Sequence, residues 1–191
     1  QSGFGRTGQL WGYEYVGVQP DIVTLGKPMG NGHPIAAVVA SSELVNAFRS
    51  DVMYFNTFGG NPVSCAVAQA VWDVIEDEQL VSNARDVGHY LRSGLQDLQQ
   101  VHEVMGDVRG PGLFLGVELV CDRQAKQPAT QLAAQVINTM KAKRVLISKI
   151  GPFDNVLKIR PPIVFSKNTA GQLLDTLDEV LTELVKQGGI S

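Results

Sequence analysis

The feature that most constrains the fold is a series of glycine- and proline-rich loops that separate short apolar segments in the first 75 residues. Asp21–Leu25 is mostly apolar and rich in β-branched residues, and Ile35–Ala40 has the same character. Short apolar runs between turn residues predict buried strands. A helix is predicted to start at Ser41 or Ser42 and to run through Phe48. This part of the chain therefore reads as the end of an α/β domain.

The pattern changes after residue 75. Asn61 is predicted to cap a helix that has Pro62 at its first position and ends near Ile75, and a second helix is predicted over Leu80–Leu98. Further strands are predicted over Val104–Val108, Leu113–Val120, Val145–Ile150 and Val156–Arg160, with helices over Thr130–Lys143 and Asn168–Lys186. We predict two domains, an α/β part over residues 1–75 and a small α+β domain over residues 76–191.

Composition excludes several classes of protein. Of 191 residues, 44% are hydrophobic, which is enough for a core and too much for a disordered chain. Lys and Arg number 16 against 19 Asp and Glu, so the net charge of −3 provides no basic surface for nucleic acid or anionic lipid. No apolar run reaches the length of a membrane-spanning helix.

Two cysteines, Cys65 and Cys121, are too few and too far apart for a disulfide framework or a zinc site. Their apolar neighbours predict core packing, and the three histidines share no metal-binding spacing. We predict a cytoplasmic protein without a metal. Because the chain starts at Gln1 within a loop-like segment, we expect it to be a fragment of a longer protein.

Lys27 stands between Gly26 and Pro28, directly after the first predicted strand. We expect it to be partly buried, and burial favours the neutral form of a lysine amine. A neutral amine is a nucleophile that forms Schiff bases. The alternative is a lysine that extends from a strand end to solvent and has no catalytic role.

The opening glycines, Gly3, Gly5 and Gly8, have the spacing of a dinucleotide-binding motif. That motif requires a strand before it and a helix that begins at its third glycine. The residues that follow, including Trp11 and Gly12, do not favour a helix. We therefore predict a tight loop here and no nucleotide site.

Two further places suit anions. Thr57 precedes two glycines and a helix N-terminus, where hydroxyl and N–H groups form an anion site; the alternative is a loop that caps only its own backbone. Arg160 ends a strand before two prolines and suits a carboxylate or phosphate, although an ion pair with Asp107 or Glu118 is equally available. His33 is interpreted as a hydrogen-bonding loop residue rather than a site residue.

Taken in order, several segments resemble the class III pyridoxal-phosphate (PLP) aminotransferases over nearly the whole chain. They are Gln1–Gly8, Pro20–Lys27, Asn56–Pro62, Gly106–Leu113 and Arg160–Pro162. Within this family, Gly26–Pro34 and Asn155–Ile159 are most similar to the branch of ethanolamine-phosphate phospho-lyases and alanine–glyoxylate-type aminotransferases. The resemblance implies PLP-dependent transferase fold type I, with residues 1–75 ending the large PLP-binding domain.

The resemblance also implies roles for single residues. Lys27 is expected to hold PLP as a Schiff base and to move the proton between the substrate carbon and C4′ of the cofactor. Gln1 is expected beside the ring hydroxyl, and Asn56 and Thr57 at the cofactor, with Thr57 at the phosphate of PLP in the neighbouring subunit of a homodimer. Arg160 is expected to receive the substrate carboxylate.

The resemblance leaves two enzymatic functions open. The first is an aminotransferase that moves an amino group between an amino acid or amine and a 2-oxo acid. The alternative is a phospho-lyase for a phosphorylated amine such as O-phosphoethanolamine, with Lys149, Lys158 and Arg160 available to a second phosphate. Arg160 favours the aminotransferase, because those phospho-lyases have lysine there.

A non-enzymatic assembly module is disfavoured by the intact motifs around Lys27 and Thr57. The family's aspartate at the pyridine nitrogen falls before Gln1, so we expect little activity from the fragment alone.

Overall fold

The computed structural model describes residues 1–186 and residue 188, which divide into two units, Gln1–Ser82 and a second that starts at Asn83. Residues 187 and 189–191 of the predicted second domain lie outside the described residues. The assignment of residues 1–75 to a large PLP-binding domain and of 76–191 to a small domain stays a prediction.

The first unit contains two strands and two helices joined by long loops. They are β1 (Ile22–Leu25), β2 (Ala37–Ala40), α1 (Ser42–Asp51) and α2 (Pro62–Asp77), with 3-10 helices over Glu14–Val16 and Lys27–Met29. β1 and β2 pair antiparallel, with Ile22 opposite Ala40 and Leu25 opposite Ala37. Ser41 caps α1 by accepting a hydrogen bond from the Leu44 N–H, so the predicted start of this helix is confirmed.

The prediction that both strands are buried is wrong for this chain. Ile22 is 54% exposed and Val38 69% exposed. β1 alternates between exposed and half-buried residues, and the two central residues of β2 are both exposed. Within the described residues β1 and β2 pair only with each other, so this sheet has two strands. Their apolar composition is still that of strands covered on both faces.

The second unit is an antiparallel sheet with three helices. Its elements are α3 (Leu80–Val101, which begins before Asn83), β3 (Met105–Arg109), β4 (Leu115–Asp122), β5 (Gln127–Pro128), α4 (Thr130–Ala142), β6 (Ser148–Ile150), β7 (Val156–Ile159) and α5 (Lys167–Lys186). The strand order is β3-β4-β7-β6, with β5 paired to β4. No helix within the described residues is long and apolar enough to cross a membrane.

The helices cover one face of this sheet. β4 alternates buried Leu115, Val117 and Leu119 with the partly exposed Gly116 and Glu118. α4 contacts both β4 and α5. The helices contribute buried residues that include Leu91, Leu95, Leu132, Val136, Met140, Leu177 and Leu181. Burying each leucine contributes about 1.5–3 kcal/mol relative to leaving it exposed.

The observed structure adds one short strand and shifts several predicted element ends by one to three residues. β5 was not predicted, because two residues carry no periodicity. β6 begins at Ser148 rather than Val145, since Arg144 adopts φ +67° at the end of α4 and Val145 and Ile147 pack against the core instead of joining the sheet. α1 continues three residues past the predicted end at Phe48.

A close backbone contact joins α3 to the turn between β3 and β4. A Cβ atom on Gly88 would lie 2.3 Å from the carbonyl carbon of Gly112. The clashing atoms belong to the backbone, so a change of side-chain rotamer cannot relieve it. In contrast, a Cβ on Gly171 of α5 would meet only the Tyr90 hydroxyl, at an ordinary 3.5 Å.

Gly88→Ala is expected to lower the free energy of unfolding by about 1–3 kcal/mol, because the new methyl group forces the helix and the turn apart. Gly171→Ala is the matched control and is expected to raise that free energy by up to about 1 kcal/mol, since alanine favours the helix. Urea denaturation of the full-length protein measures both values. Equal stabilities of the two variants would show that the contact has no energetic weight.

Candidate active site

Lys27 lies directly after β1, where the chain turns sharply. Gly26 is fully extended, and Lys27 begins a 3-10 helix with φ +30°, a backbone conformation that is uncommon for any residue other than glycine. Such strained residues concentrate at functional sites. The expectation of partial burial is wrong, because Lys27 is exposed at the end of an uncovered strand.

The amine of Lys27 is available for chemistry in the described part of the chain. Residues 1–186 and 188 contain no carboxylate within 4.0 Å of it, whereas Lys143 has two and Lys149 has one. Lys143 bonds to Glu179 and Lys149 to Asp154. Among the residues that the structure describes, Lys27 therefore has no ion-pair partner.

The loop before α2 is organised by Asn56. Its Oδ1 accepts hydrogen bonds from the N–H groups of Phe58 at 3.1 Å and Gly59 at 2.9 Å, and its Nδ2 donates to the Tyr54 hydroxyl. Asn56 thus bonds to its own loop, as the local alternative predicts. Thr57, inside this turn, is exposed. Cofactor contacts of Asn56 and Thr57 stay predictions.

The N-terminus of α2 has the predicted cap. Asn61 Oδ1 accepts from the Ser64 N–H at 2.9 Å, and Pro62 occupies the first helical position. The Asn61 amide also donates to the Phe58 carbonyl oxygen at 2.7 Å. The cap therefore fixes the Asn56–Asn61 loop as well as the helix.

His33 connects the Lys27 turn to this helix. Its Nε2 lies 2.8 Å from Ser64 Oγ, within hydrogen-bonding distance, and both residues are half-buried. The interpretation of His33 as a hydrogen-bonding loop residue is confirmed. The 3-10 helix at Lys27–Met29 also contacts α2.

The opening glycine-rich segment is a series of turns. The Gly8 N–H donates to the Gly5 carbonyl oxygen, and no α-helix begins at Gly8, which is consistent with rejecting the nucleotide motif. Trp11 packs edge-on against Phe4 at 5.3 Å and reaches Trp72 of α2 at 6.0 Å between ring centroids. Gln1 is exposed at the start of this segment. α2 is thus the element that all three loops contact.

Arg160 belongs to the second unit, directly after β7. Its guanidinium carbon lies 4.1 Å from the centroid of the Phe114 ring, a cation–π contact. Asp107 and Glu118, considered as its partners from sequence, both accept hydrogen bonds from Arg109 at 2.7 Å. Both bonds raise the pKa of the Arg109 guanidinium, and the bond to Asp107 has the larger effect.

A cavity of about 570 Å³ in the second unit includes Arg160 in its lining. Its other basic residues are Arg144 and Lys158, and the remaining lining residues include no Asp or Glu. Lys149, expected from sequence to serve a phosphate, bonds to Asp154 at 2.8 Å and is not part of the lining. Arg144 was missed, because its position after the end of α4 gave no signal for a site.

One of the two cysteines differs from expectation. Cys65, predicted in the core, is an exposed free thiol in the first turns of α2, because the apolar periodicity of that helix is not matched by covering elements in the described residues. Cys121 is half-buried and packs at the core. The described residues contain no group of three or more metal-ligating side chains.

Comparison with known proteins identifies clear relatives. A family model described as aminotransferase class-III matches residues 1–181. An alanine–glyoxylate aminotransferase 2-like protein of Drosophila melanogaster is 49% identical over 98% of this chain and 38% of its own length. An ethanolamine-phosphate phospho-lyase homolog of Caenorhabditis elegans is 45% identical over 95% of this chain and 40% of its own.

A solved phospholyase from Arthrobacter, in complex with phosphoethanolamine, superimposes with a TM-score of 0.92 at 47% identity. The match covers 95% of this chain and 43% of that structure. The chain thus spans about two fifths of the length of the proteins it matches.

Proposed function

Because the chain belongs to the class III aminotransferase family, we propose that the full-length protein carrying it moves an amino group between an amino acid or amine and a 2-oxo acid. The observation that carries this proposal is Lys27, an exposed amine without a carboxylate partner in the described residues, held at φ +30° at the end of β1. A positive φ at a residue other than glycine is a strained conformation, and such strain is concentrated at functional sites.

PLP is the cofactor of this family, and the side chains of the first unit fit it by type. An aldehyde requires an amine, supplied by Lys27; a phosphate requires hydroxyl and N–H donors, supplied by Thr57 and its loop; a ring hydroxyl suits the amide of Gln1. All three side chains are exposed and so accessible to a ligand. Asn56 would support the cofactor by shaping the loop that holds Thr57.

Bound PLP supplies an electron sink for the bonds at the substrate carbon. The Lys27 amine would hold the cofactor, and it would also be the general base of the proposed reaction. Its Nζ would take up and return the proton that moves at the substrate carbon. Arg160 binds the substrate carboxylate and so orients the carbon that loses the proton.

A phospho-lyase for a phosphorylated amine is the second candidate, and the basic cavity is the observation that favours it. Arg144, Lys158 and Arg160 line that cavity without an acidic residue among them, which suits a dianionic phosphate. The relatives named as phospho-lyases support the same reading. A guanidinium binds either a carboxylate or a phosphate in two hydrogen bonds, so Arg160 is compatible with both candidate functions.

We propose the cytoplasm as the compartment. Both Cys65 and Cys121 are free thiols, one of them exposed, and this fits a reducing environment. Oxidised Cys65 in freshly isolated protein would contradict this location.

A homodimer that shares its active sites is the proposed assembly. Apolar side chains next to Thr57 are strongly exposed: Met53 is 98% exposed, and Phe55 and Phe58 are each 80% exposed. Exposed apolar patches of this kind mark protein interfaces.

Sedimentation equilibrium of the full-length protein is expected to give a dimer, and Phe55→Asp is expected to shift it toward the monomer. Tyr90→Asp, at a half-exposed position on α3, is the control. A monomeric wild type would contradict the proposed assembly.

Lys27→Ala is expected to abolish covalent binding of PLP and to reduce turnover of alanine and glyoxylate by at least about a thousandfold, since it removes both the bond and the base. Borohydride reduction followed by peptide mass mapping locates the modified lysine. Lys141→Ala, at an exposed position near the end of α4, is the control and is expected to retain both. A label on another lysine would refute the assignment.

Arg160→Ala is expected to raise the KM for an amino donor with a carboxylate by about 10- to 100-fold, the loss of a charge-assisted pair of hydrogen bonds, with a smaller change in kcat. The KM for a donor without a carboxylate, such as a simple primary amine, is expected to change little. Arg85→Ala, exposed on α3, serves as the control. Equal effects on both donors would contradict carboxylate recognition by Arg160.

A further inference from the structure

His33 lies at a junction between two loops of the first unit. Its Nε2 is 2.8 Å from the hydroxyl of Ser64, the third residue of α2. A hydroxyl both donates and accepts, so this hydrogen bond forms with either neutral tautomer of the imidazole. The two residues are 31 positions apart in sequence. This bond therefore joins separate parts of the chain.

The turn that carries His33 is closely folded. The His33 N–H donates to the Gly30 carbonyl oxygen at 3.0 Å, and a Cβ on Gly30 would lie 2.0 Å from the His33 carbonyl oxygen. Glycine is required at this position, because any side chain would open the turn. The 3-10 helix Lys27–Met29 directly precedes Gly30. A fixed His33 therefore restrains Lys27 through a short and tightly turned segment.

The other side of the junction leads to Thr57. Ser64 Oγ accepts from Asn61 Nδ2 at 3.0 Å, and the same amide group donates to the Phe58 carbonyl oxygen at 2.7 Å. Thr57 is the residue before Phe58. A continuous series of hydrogen bonds thus runs from His33 through Ser64 and Asn61 to the backbone beside Thr57.

We infer that His33 is a positioning residue that fixes the Lys27 turn relative to the Thr57 loop. The inference rests on the proposed function, in which Lys27 holds PLP and Thr57 reaches the phosphate of PLP in the neighbouring subunit. One hydrogen-bonded link then positions two contacts, that of Lys27 in the active site of its own subunit and that of Thr57 in the active site of the neighbouring subunit. Residues that support contact groups in this way keep them within the narrow range that binding requires.

The test compares variants of the full-length protein by PLP titration of the apoprotein. His33→Ala and Ser64→Ala are each expected to raise the Kd for PLP by about 3- to 10-fold, the effect of one neutral hydrogen bond. The double variant is expected to be no weaker than the weaker single variant, because both changes remove the same link. His33→Gln, whose amide reaches the position of Nε2, is expected to restore most of the affinity. His89→Ala, exposed on α3, is the control.

A second measurement separates positioning from general destabilisation. In the apoprotein of His33→Ala, hydrogen exchange is expected to rise for amides in residues 27–34 and 56–61, while the thermal midpoint stays within a few degrees of wild type. An unchanged PLP Kd in both single variants, additive losses in the double variant, or exchange that rises evenly along the chain would each overturn the inference.

The two proposals fail in different ways. If borohydride reduction labels Lys27 in wild type and in His33→Ala while the PLP Kd is the same, the positioning role fails and the proposed function stands. If no PLP is attached to Lys27 in wild type, the proposed function fails. The exchange data then still report whether His33 links the two loops.

Discussion

The first unit depends on the hydrogen bonds at the N-terminus of α2. The first N–H groups of a helix have no partner within it, and Asn61 supplies one to Ser64. The same two side chains extend beyond the cap, Asn61 to the carbonyl of Phe58 and Ser64 to His33. One helix terminus thereby fixes the loops that carry Lys27 and Thr57.

Features that depend on neighbours in sequence could be predicted. The cap at Asn61 was identified because its residue type and the following proline determine it locally. The hydrogen bond from His33 to Ser64 depends on how distant segments pack, and no local pattern specifies it. Burial was also mispredicted, at Lys27 and Cys65, because exposure depends on what other segments cover.

In the second unit, the sequence also does not show which basic side chains are already paired with a carboxylate. Sequence pointed to Lys149 as a phosphate contact, but a neighbouring turn places Asp154 beside it, 2.8 Å away. Arg144 has no comparable carboxylate partner in the described residues and lines the cavity with Arg160. Residue type predicts which side chains are able to bind an anion, and the fold decides which of them are already neutralised. That distinction matters for the choice between a carboxylate and a phosphate substrate.

The central claim is that the full-length protein exchanges amino groups. The most direct measurement incubates the purified holoenzyme with alanine and glyoxylate, and separately with O-phosphoethanolamine, and quantifies all products. We predict pyruvate and glycine in equal amounts from the first mixture, and no phosphate from the second. Release of phosphate and ammonia together, without amino exchange in the first mixture, would contradict the claim and establish the phospho-lyase.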